Sequence, residues 1–257
     1  MNQSERRSYL IQELINEKKE YRGMEIPDDL YQQKILLRSL MNIRMPDPIS
    51  EEFLKIQDDY LKEELHLKGI TDCDDLEEIE KGLYLWQGDI TTLKCDAIVN
   101  AANSNMLGCF QPCHNCIDNC IHTYAGIQLR LECNEIMARQ GHTEETGKAK
   151  MTDAYNLPCK KVIHTVGPIV QVRVTKSDQE LLKSCYLECL RMADVNHLES
   201  IAFCCISTGV FSFPNKLAAK IAIDTVREYM TDKTNIKKVI FNVFKNEDKD
   251  IYQQLLG

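Results

Sequence analysis

The stretch Asp96-Ala97-Ile98-Val99-Asn100-Ala101-Ala102-Asn103 sets the architecture. Ala97-Ile98-Val99 is apolar at every position, as in a strand buried on both faces. The segment from Asn100 to Cys116 reads as one long loop. Around this strand the chain alternates. Leu83-Tyr84-Leu85-Trp86 reads as a strand, and residues 117–139 as a helix in two pieces broken at Gly126. Val162 to Val166 reads as a strand, and Ser177 to Asn196 as a helix opened by a Ser177/Glu180 capping box. Ile201 to Ile206, Asn215 to Met230, Lys237 to Phe244 and Asn246 to Leu256 continue as strand, helix, strand, helix. Such alternation places helices on both faces of a largely parallel or mixed sheet.

Residues 1–75 carry a different pattern. Leu10, Ile11, Leu14 and Ile15 form a helical stripe, Pro27 suits the N1 position of a second helix, and Pro46 ends that helix. Phe53, Ile56 and Tyr60 form a further stripe closed near Gly69. The chain therefore divides into a helical extension, 1–75, and an α/β domain, 76–257. The stripes are expected to pack on that domain.

Composition excludes several functions. The 257 residues carry a net charge of −8 and have a pI near 5.4, which argues against a nucleic-acid backbone binder. The longest apolar run, 201–206, is too short to span a membrane. The amino terminus opens a polar helix without a signal-peptide core, so a cytoplasmic, reducing setting is expected for the 12 cysteines. Most of those cysteines suit a core. Cys185 and Cys189 lie on an apolar helix stripe, and Cys204-Cys205 in a hydrophobic run.

Cys109-Phe110-Gln111-Pro112-Cys113-His114-Asn115-Cys116 does not suit a core. Thiolate and imidazole are preferred Zn²⁺ ligands, and polar residues surround these. Cys109, His114 and Cys116 are the candidate ligands of one metal ion. Three ligands leave a coordination position open, as catalytic sites do. Cys113, between Pro112 and His114, is left out of the set. In open α/β sheets ligands sit beyond the carboxyl ends of strands. Three loops lie there: Gly88-Asp89-Ile90, the Asn100–Cys116 segment, and Ser207-Thr208-Gly209-Val210-Phe211-Ser212-Phe213-Pro214, whose backbone N–H groups suit a diphosphate.

These blocks, with Ile117-Asp118, Ile121-His122, Ala125-Gly126, Tyr155-Asn156-Leu157-Pro158 and Val162 to Pro168, resemble in order a macrodomain of the ADP-ribosyl hydrolase kind, from about residue 82 to 250. Where such macrodomains carry a glycine run, this chain has Gly108-Cys109-Phe110 and the Cys/His loop. That variant is similar to the zinc-dependent macrodomains linked to bacterial class M sirtuins, which remove ADP-ribose from a lipoyl-carrier protein of the glycine-cleavage H type.

The resemblance implies a three-layer α/β/α fold around a mixed sheet, bound ADP-ribose, and hydrolysis of mono-ADP-ribosylated protein at ribose C1″. It implies that Asp89 accepts from the adenine amine, that Ile90 offers its N–H, and that Asn103 bonds the distal ribose. It also implies that Ser207, Thr208, Gly209, Val210 and Phe211 wrap the diphosphate, and that Phe213 either walls the distal ribose or packs in the core. Cys116, Ile117 and Asp118 border the same ligand. Asp118 either positions water or the distal ribose, or serves helix-end electrostatics; His122 is expected to pack within the fold. Two other functions stay open: a non-catalytic ADP-ribose reader with a structural zinc loop, and a redox-responsive module.

Overall fold

The computed structural model describes all 257 residues. Helices α1 (Gln3–Asn16), α2 (Leu30–Ile43) and α3 (Glu51–Lys68) come first. Each has a physical start. Asn2 and Glu5 form a capping box, the Asp29 side chain caps α2, and Ser50 caps α3. Asp29 is thus the cap where Pro27 was expected to open the helix. Pro27 lies upstream, its carbonyl accepting from Gln33 Nε2 at 2.7 Å. The three helices share an apolar cluster built on Leu10, Ile11, Leu14, Leu40, Phe53 and Tyr60.

The main sheet is seven-stranded. A short parallel pair, β1 (Thr71–Asp72) and β4 (Leu93–Lys94), stands apart from it. The main sheet holds β2 (Glu78–Glu80), β3 (Leu83–Gln87), β5 (Ala97–Ala102), β6 (Ala149–Asp153), β7 (Lys161–Val166), β8 (Ser200–Phe203) and β9 (Lys238–Val243). Their order is β2-β3-β9-β8-β5-β7-β6, parallel except for the antiparallel edge strands β2 and β6. Five helices flank it: α4 (Ile117–Ala125), α5 (Ile127–Gln140), α6 (Lys176–Val195), α7 (Asn215–Met230) and α8 (Asn246–Leu256). The strands are Val/Ile/Ala-rich because both faces are covered; Ile98, Val99, Val162, Ile163, Ile201 and Val239 are wholly buried. No helix is long and apolar enough to cross a membrane.

Several expected boundaries move. The central strand runs through Asn100 to Ala102, because β7 pairs with it as far as Val166. The strand expected over 201–206 ends at Phe203, and Ser207 turns the chain at φ 65°. Helix α6 starts at Lys176, just ahead of the expected Ser177. Its capping box is Thr175 with Asp178, not Ser177 with Glu180.

Polar groups lock the extension to the domain. Gln57 of α3 is wholly buried; it accepts from the Ile127 N–H (3.0 Å) and donates to Gln128 Oε1 (2.6 Å). Arg130 of α5 donates to the carbonyls of Met41 (3.0 Å) and Leu107 (2.7 Å). Between α4 and α5, Gly126 sits at φ 97°. A Cβ there would lie 2.6 Å from both Gln57 Nε2 and Gln128 Oε1. Gly126→Ala should therefore cost about 2–3 kcal/mol, from backbone strain and loss of that contact. An unchanged urea midpoint would show that the junction yields without cost.

Candidate functional site

Parallel register aligns the carboxyl ends of β3, β9, β8, β5 and β7 along one edge of the sheet. All three loops singled out from the sequence emerge there. The site is assembled from them and from the first turn of α4.

At the first loop, Asp89 caps the short 3₁₀ turn Ile90–Thr92. Its Oδ1 accepts from the Thr91 N–H (2.9 Å) and hydroxyl (2.6 Å). Its Oδ2 pairs with Lys68 at the end of α3, whose ammonium also lies 4.1 Å over the Tyr124 ring. Burial alone would raise the Asp89 carboxyl; Lys68 and the Thr91 donors outweigh it, and the net shift is downward. Asp89 stays 30% accessible, so the carboxylate still faces solvent. Ile90 is buried. Beside this loop, at the end of β9, Phe244 holds its ring 75% exposed, and the Gly88 N–H donates to the Val243 carbonyl at 3.0 Å. Phe244 was not singled out from the sequence. Its signal was there: an aromatic at the carboxyl end of the last strand.

The 207–213 loop presents backbone donors. The N–H groups of Thr208, Gly209, Val210 and Phe211 donate to no backbone carbonyl, while Ser212 N–H closes on Gly209 O at 3.0 Å. Successive free N–H groups make an anion-binding concavity. Ser207 Oγ is buried without a partner, and Val210 is exposed. Phe213 takes the core alternative. It is 1% exposed and belongs to the main core, so it has no face to offer a ribose. Its N–H closes the loop on Ser207 O at 3.0 Å; Phe211 is the half-buried ring there.

The third loop brings Asn103, Asp118 and the Cys/His cluster together. Asn103 Nδ2 donates to Asp118 Oδ2 (3.2 Å) and to the Gly108 carbonyl (3.1 Å). Asp118 Oδ1 accepts from Asn100 Nδ2 at 2.8 Å. Asn100 also reaches His164 Nδ1 (3.1 Å), whose Nε2 meets Thr152 Oγ1 (2.9 Å). Asp118 is 4% exposed; burial pushes its carboxyl up to about 6, against the pull of Asn100, Arg130 and Asn103. Below it lies His122, with both ring nitrogens buried and unpartnered and Nε2 3.7 Å from Asp118 Oδ1. Burial holds His122 well below its ordinary range, so it is neutral. The loop passes directly over this ring. Gly108 sits at φ 80°, and a Cβ there would meet His122 Cγ at 2.7 Å.

Cys109 Sγ, a ring nitrogen of His114 and Cys116 Sγ all lie within 4.8 Å of one another. Cys109 Sγ to His114 Nδ1 is 3.6 Å. A tetrahedral Zn²⁺ with bonds of about 2.3 Å to S and about 2.0 Å to N needs an S–N edge of roughly 3.6 Å, so the donor set fits. Cys113 points elsewhere. At φ 52° its Sγ turns to Ser39 Oγ (3.3 Å) and the Ile35 carbonyl (3.6 Å) on α2. Cys116 is also the N-cap of α4, its Sγ accepting from the Asn119 N–H at 3.4 Å. Burial pushes its thiol up, which a coordinated cation reverses. All 12 cysteines are free thiols.

A three-layer α/β/α domain with a nucleotide-type cleft at its strand ends, and a Cys/His loop beside a buried carboxylate, is the class that these observations define. Comparison with known proteins is specific. The Macro domain profile matches residues 99–222. A protein-ADP-ribose hydrolase of Treponema medium is 55% identical over the full length of both chains. One of Staphylococcus aureus strain Mu50 is 49% identical, covering 98% of this chain and 95% of that one. Among solved structures, a variant Oceanobacillus iheyensis macrodomain with ADPR is similar at TM-score 0.64 and 35% identity, over 70% of this chain and 95% of that one. A Trypanosoma brucei macrodomain in complex with ADP gives TM-score 0.67 at 28% identity, over 87% and 96%. The chain belongs to the macrodomain family, in the company of the protein-ADP-ribose hydrolases.

Proposed function

We propose that this protein is a zinc-dependent hydrolase that removes mono-ADP-ribose from a modified protein side chain. The observation that carries the zinc requirement is the convergence of Cys109, His114 and Cys116 beside the Asn103–Asp118 pair. The hydrolase reading is supported by the relatives at 49–55% identity over nearly the whole chain. A lipoyl-carrier protein of the glycine-cleavage H type as substrate, with a class M sirtuin as functional partner, is the finer proposal; the Cys/His loop in place of a glycine run supports it.

The reaction adds water across the bond between C1″ and the side chain. Hydroxyl goes to C1″ and the proton to the released group. The chain's residues divide the work. Phe244 offers a ring on which the adenine stacks, and Asp89 accepts from its amine. The free N–H groups of 208–211 hold the diphosphate, so that binding at a distance fixes the distal ribose. Asn103 orients that sugar, and the Asp118 carboxylate positions the attacking water and takes up its proton, which then passes on to the released group. Cys109, His114 and Cys116 would hold zinc, which supplies Lewis acidity at an oxygen of the ribose, the leaving group or water.

Asp89→Ala should weaken ADP-ribose binding by about 1–3 kcal/mol, the value of a charge-assisted hydrogen bond. Unaltered affinity in calorimetry would put the adenine elsewhere. The activity itself is tested on mono-ADP-ribosylated lipoyl-carrier protein, with and without chelator. Zinc-restorable release of ADP-ribose is the expected result; stable binding without release would make the protein a reader.

A further inference from the structure

Helix α2 of the extension meets the metal loop at several points, and Arg38 is the one that reaches a candidate ligand residue, His114. Arg38 Nη2 donates to the His114 carbonyl at 2.8 Å, to Asn119 Oδ1 at 2.9 Å, and lies 3.7 Å from Cys120 Sγ. Arg38 is half-buried, with its Nε buried without a partner, and Nη2 alone makes the contacts to the loop and α4. Asn119, wholly buried in the first turn of α4, completes the arrangement. Its Nδ2 donates to the carbonyls of Cys109 (3.2 Å) and Gln111 (3.0 Å), and its backbone N–H donates to Cys116 Sγ (3.4 Å). Arg38 and Asn119 together therefore bond to all three candidate ligand residues. One neighbouring turn of α2 adds to the grip, with Asn42 Oδ1 accepting from the Cys113 N–H at 2.9 Å.

We propose that Arg38, acting through Asn119, is a positioning residue that holds Cys109, His114 and Cys116 in ligating geometry before the metal arrives, so that the extension is part of the metal site. The inference rests on the zinc reading above. Its physical basis is preorganisation. A loop of eight residues with three ligands loses backbone freedom when it closes on an ion. Bonds that order it beforehand remove that cost from binding. Arg38 suits the task because its guanidinium offers several donors from one rigid plane to acceptors on two elements.

The test uses the full chain, with zinc affinity read by competition against a chromophoric chelator and geometry read from the absorption bands of the cobalt-substituted protein. Arg38→Ala is expected to weaken zinc binding by about 10- to 100-fold, as loss of an outer contact to metal ligands does, and to shift and weaken the cobalt bands. Arg38→Lys should recover part of the affinity, since one ammonium can still reach the His114 carbonyl. Asn119→Ala should cost a similar factor, and the double variant clearly less than the product of the two, because both act through one network. Arg6→Ala serves as the control. It removes the pairs to Glu63 and Asp59 within the extension, away from the loop, and should leave zinc affinity unchanged. Zinc affinity of Arg38→Ala within twofold of the parent would overturn the proposal, as would independent, multiplicative effects of the two substitutions. A parent protein that holds no zinc would sink the metal reading itself, and this inference with it.

Discussion

His114→Ala and Cys116→Ser should each lower kcat/KM for release of ADP-ribose from modified protein by a factor on the order of 10² or more, while the Kd for free ADP-ribose moves only a few-fold. The factor follows from losing several kcal/mol of stabilisation where charge develops. The asymmetry follows from geometry. Asp89, Phe244 and the free N–H groups of 208–211 engage the adenine and diphosphate, and they serve substrate and product alike. Ser is chosen at 116 because Cys116 is the N-cap of α4, its sulfur accepting from the Asn119 N–H at 3.4 Å. Alanine would remove metal ligand and cap together, and cap loss alone costs about 1 kcal/mol. Serine keeps the cap and replaces the soft donor. The readout is steady-state kinetics beside calorimetry, on protein whose thermal midpoint matches the parent. Equal loss in both constants would mean that the loop acts through binding alone, and the protein would then be a reader.

Much of this was legible in the chain. The helices carrying the α1 and α3 stripes, the break at Gly126, and helices α7 and α8 follow from local periodicity, and the structure has them as read. The stripes, expected to pack on the α/β domain, pack instead on one another, with Ile127 as the one domain residue in their cluster. The three strand-end loops were legible for the same reason: glycine, proline and polar residues interrupt apolar runs. Strand β6 was not. Ala149-Lys150-Met151-Thr152-Asp153 has a weak alternation because it is an edge strand, half exposed and held by pairing with β7 alone. Phe213 and Phe211 could not be told apart either, since which ring turns inward depends on Ser207 and Ser212 adopting φ 65° and 57°. The residues that set the site's electrostatics were hidden by distance in sequence. Lys68 neutralises Asp89 from 21 positions away, and Arg38 reaches His114 across 76. No local pattern announces such partners. They exist because the extension folds back over α4, and only the tertiary structure records that.

Asp118→Asn should reduce kcat by roughly 10²- to 10⁴-fold, the usual contribution of a positioned acid–base group, and leave ADP-ribose affinity nearly unchanged. Asparagine keeps the shape and an acceptor for Asn100 or Asn103 but cannot take a proton from water. The same substitution separates a catalytic role from a structural one through stability. Burial pushes the Asp118 carboxyl up to about 6, above the ordinary 3.8. A carboxyl raised on folding works against the folded state once it ionises. The penalty begins as pH rises through the unfolded value and is complete above the folded one, so it is present at neutral pH. Removing the charge therefore removes a cost and offsets the amide contact that is lost, and the thermal midpoint at pH 7 should be no lower than the parent's. A group kept only for helix-end electrostatics would behave in the opposite way: its neutralisation would lower the midpoint and spare turnover. Kinetics and melting on one variant thus decide between the two roles. Retained turnover with a lowered midpoint would assign Asp118 to the helix and leave the water to be positioned by another group.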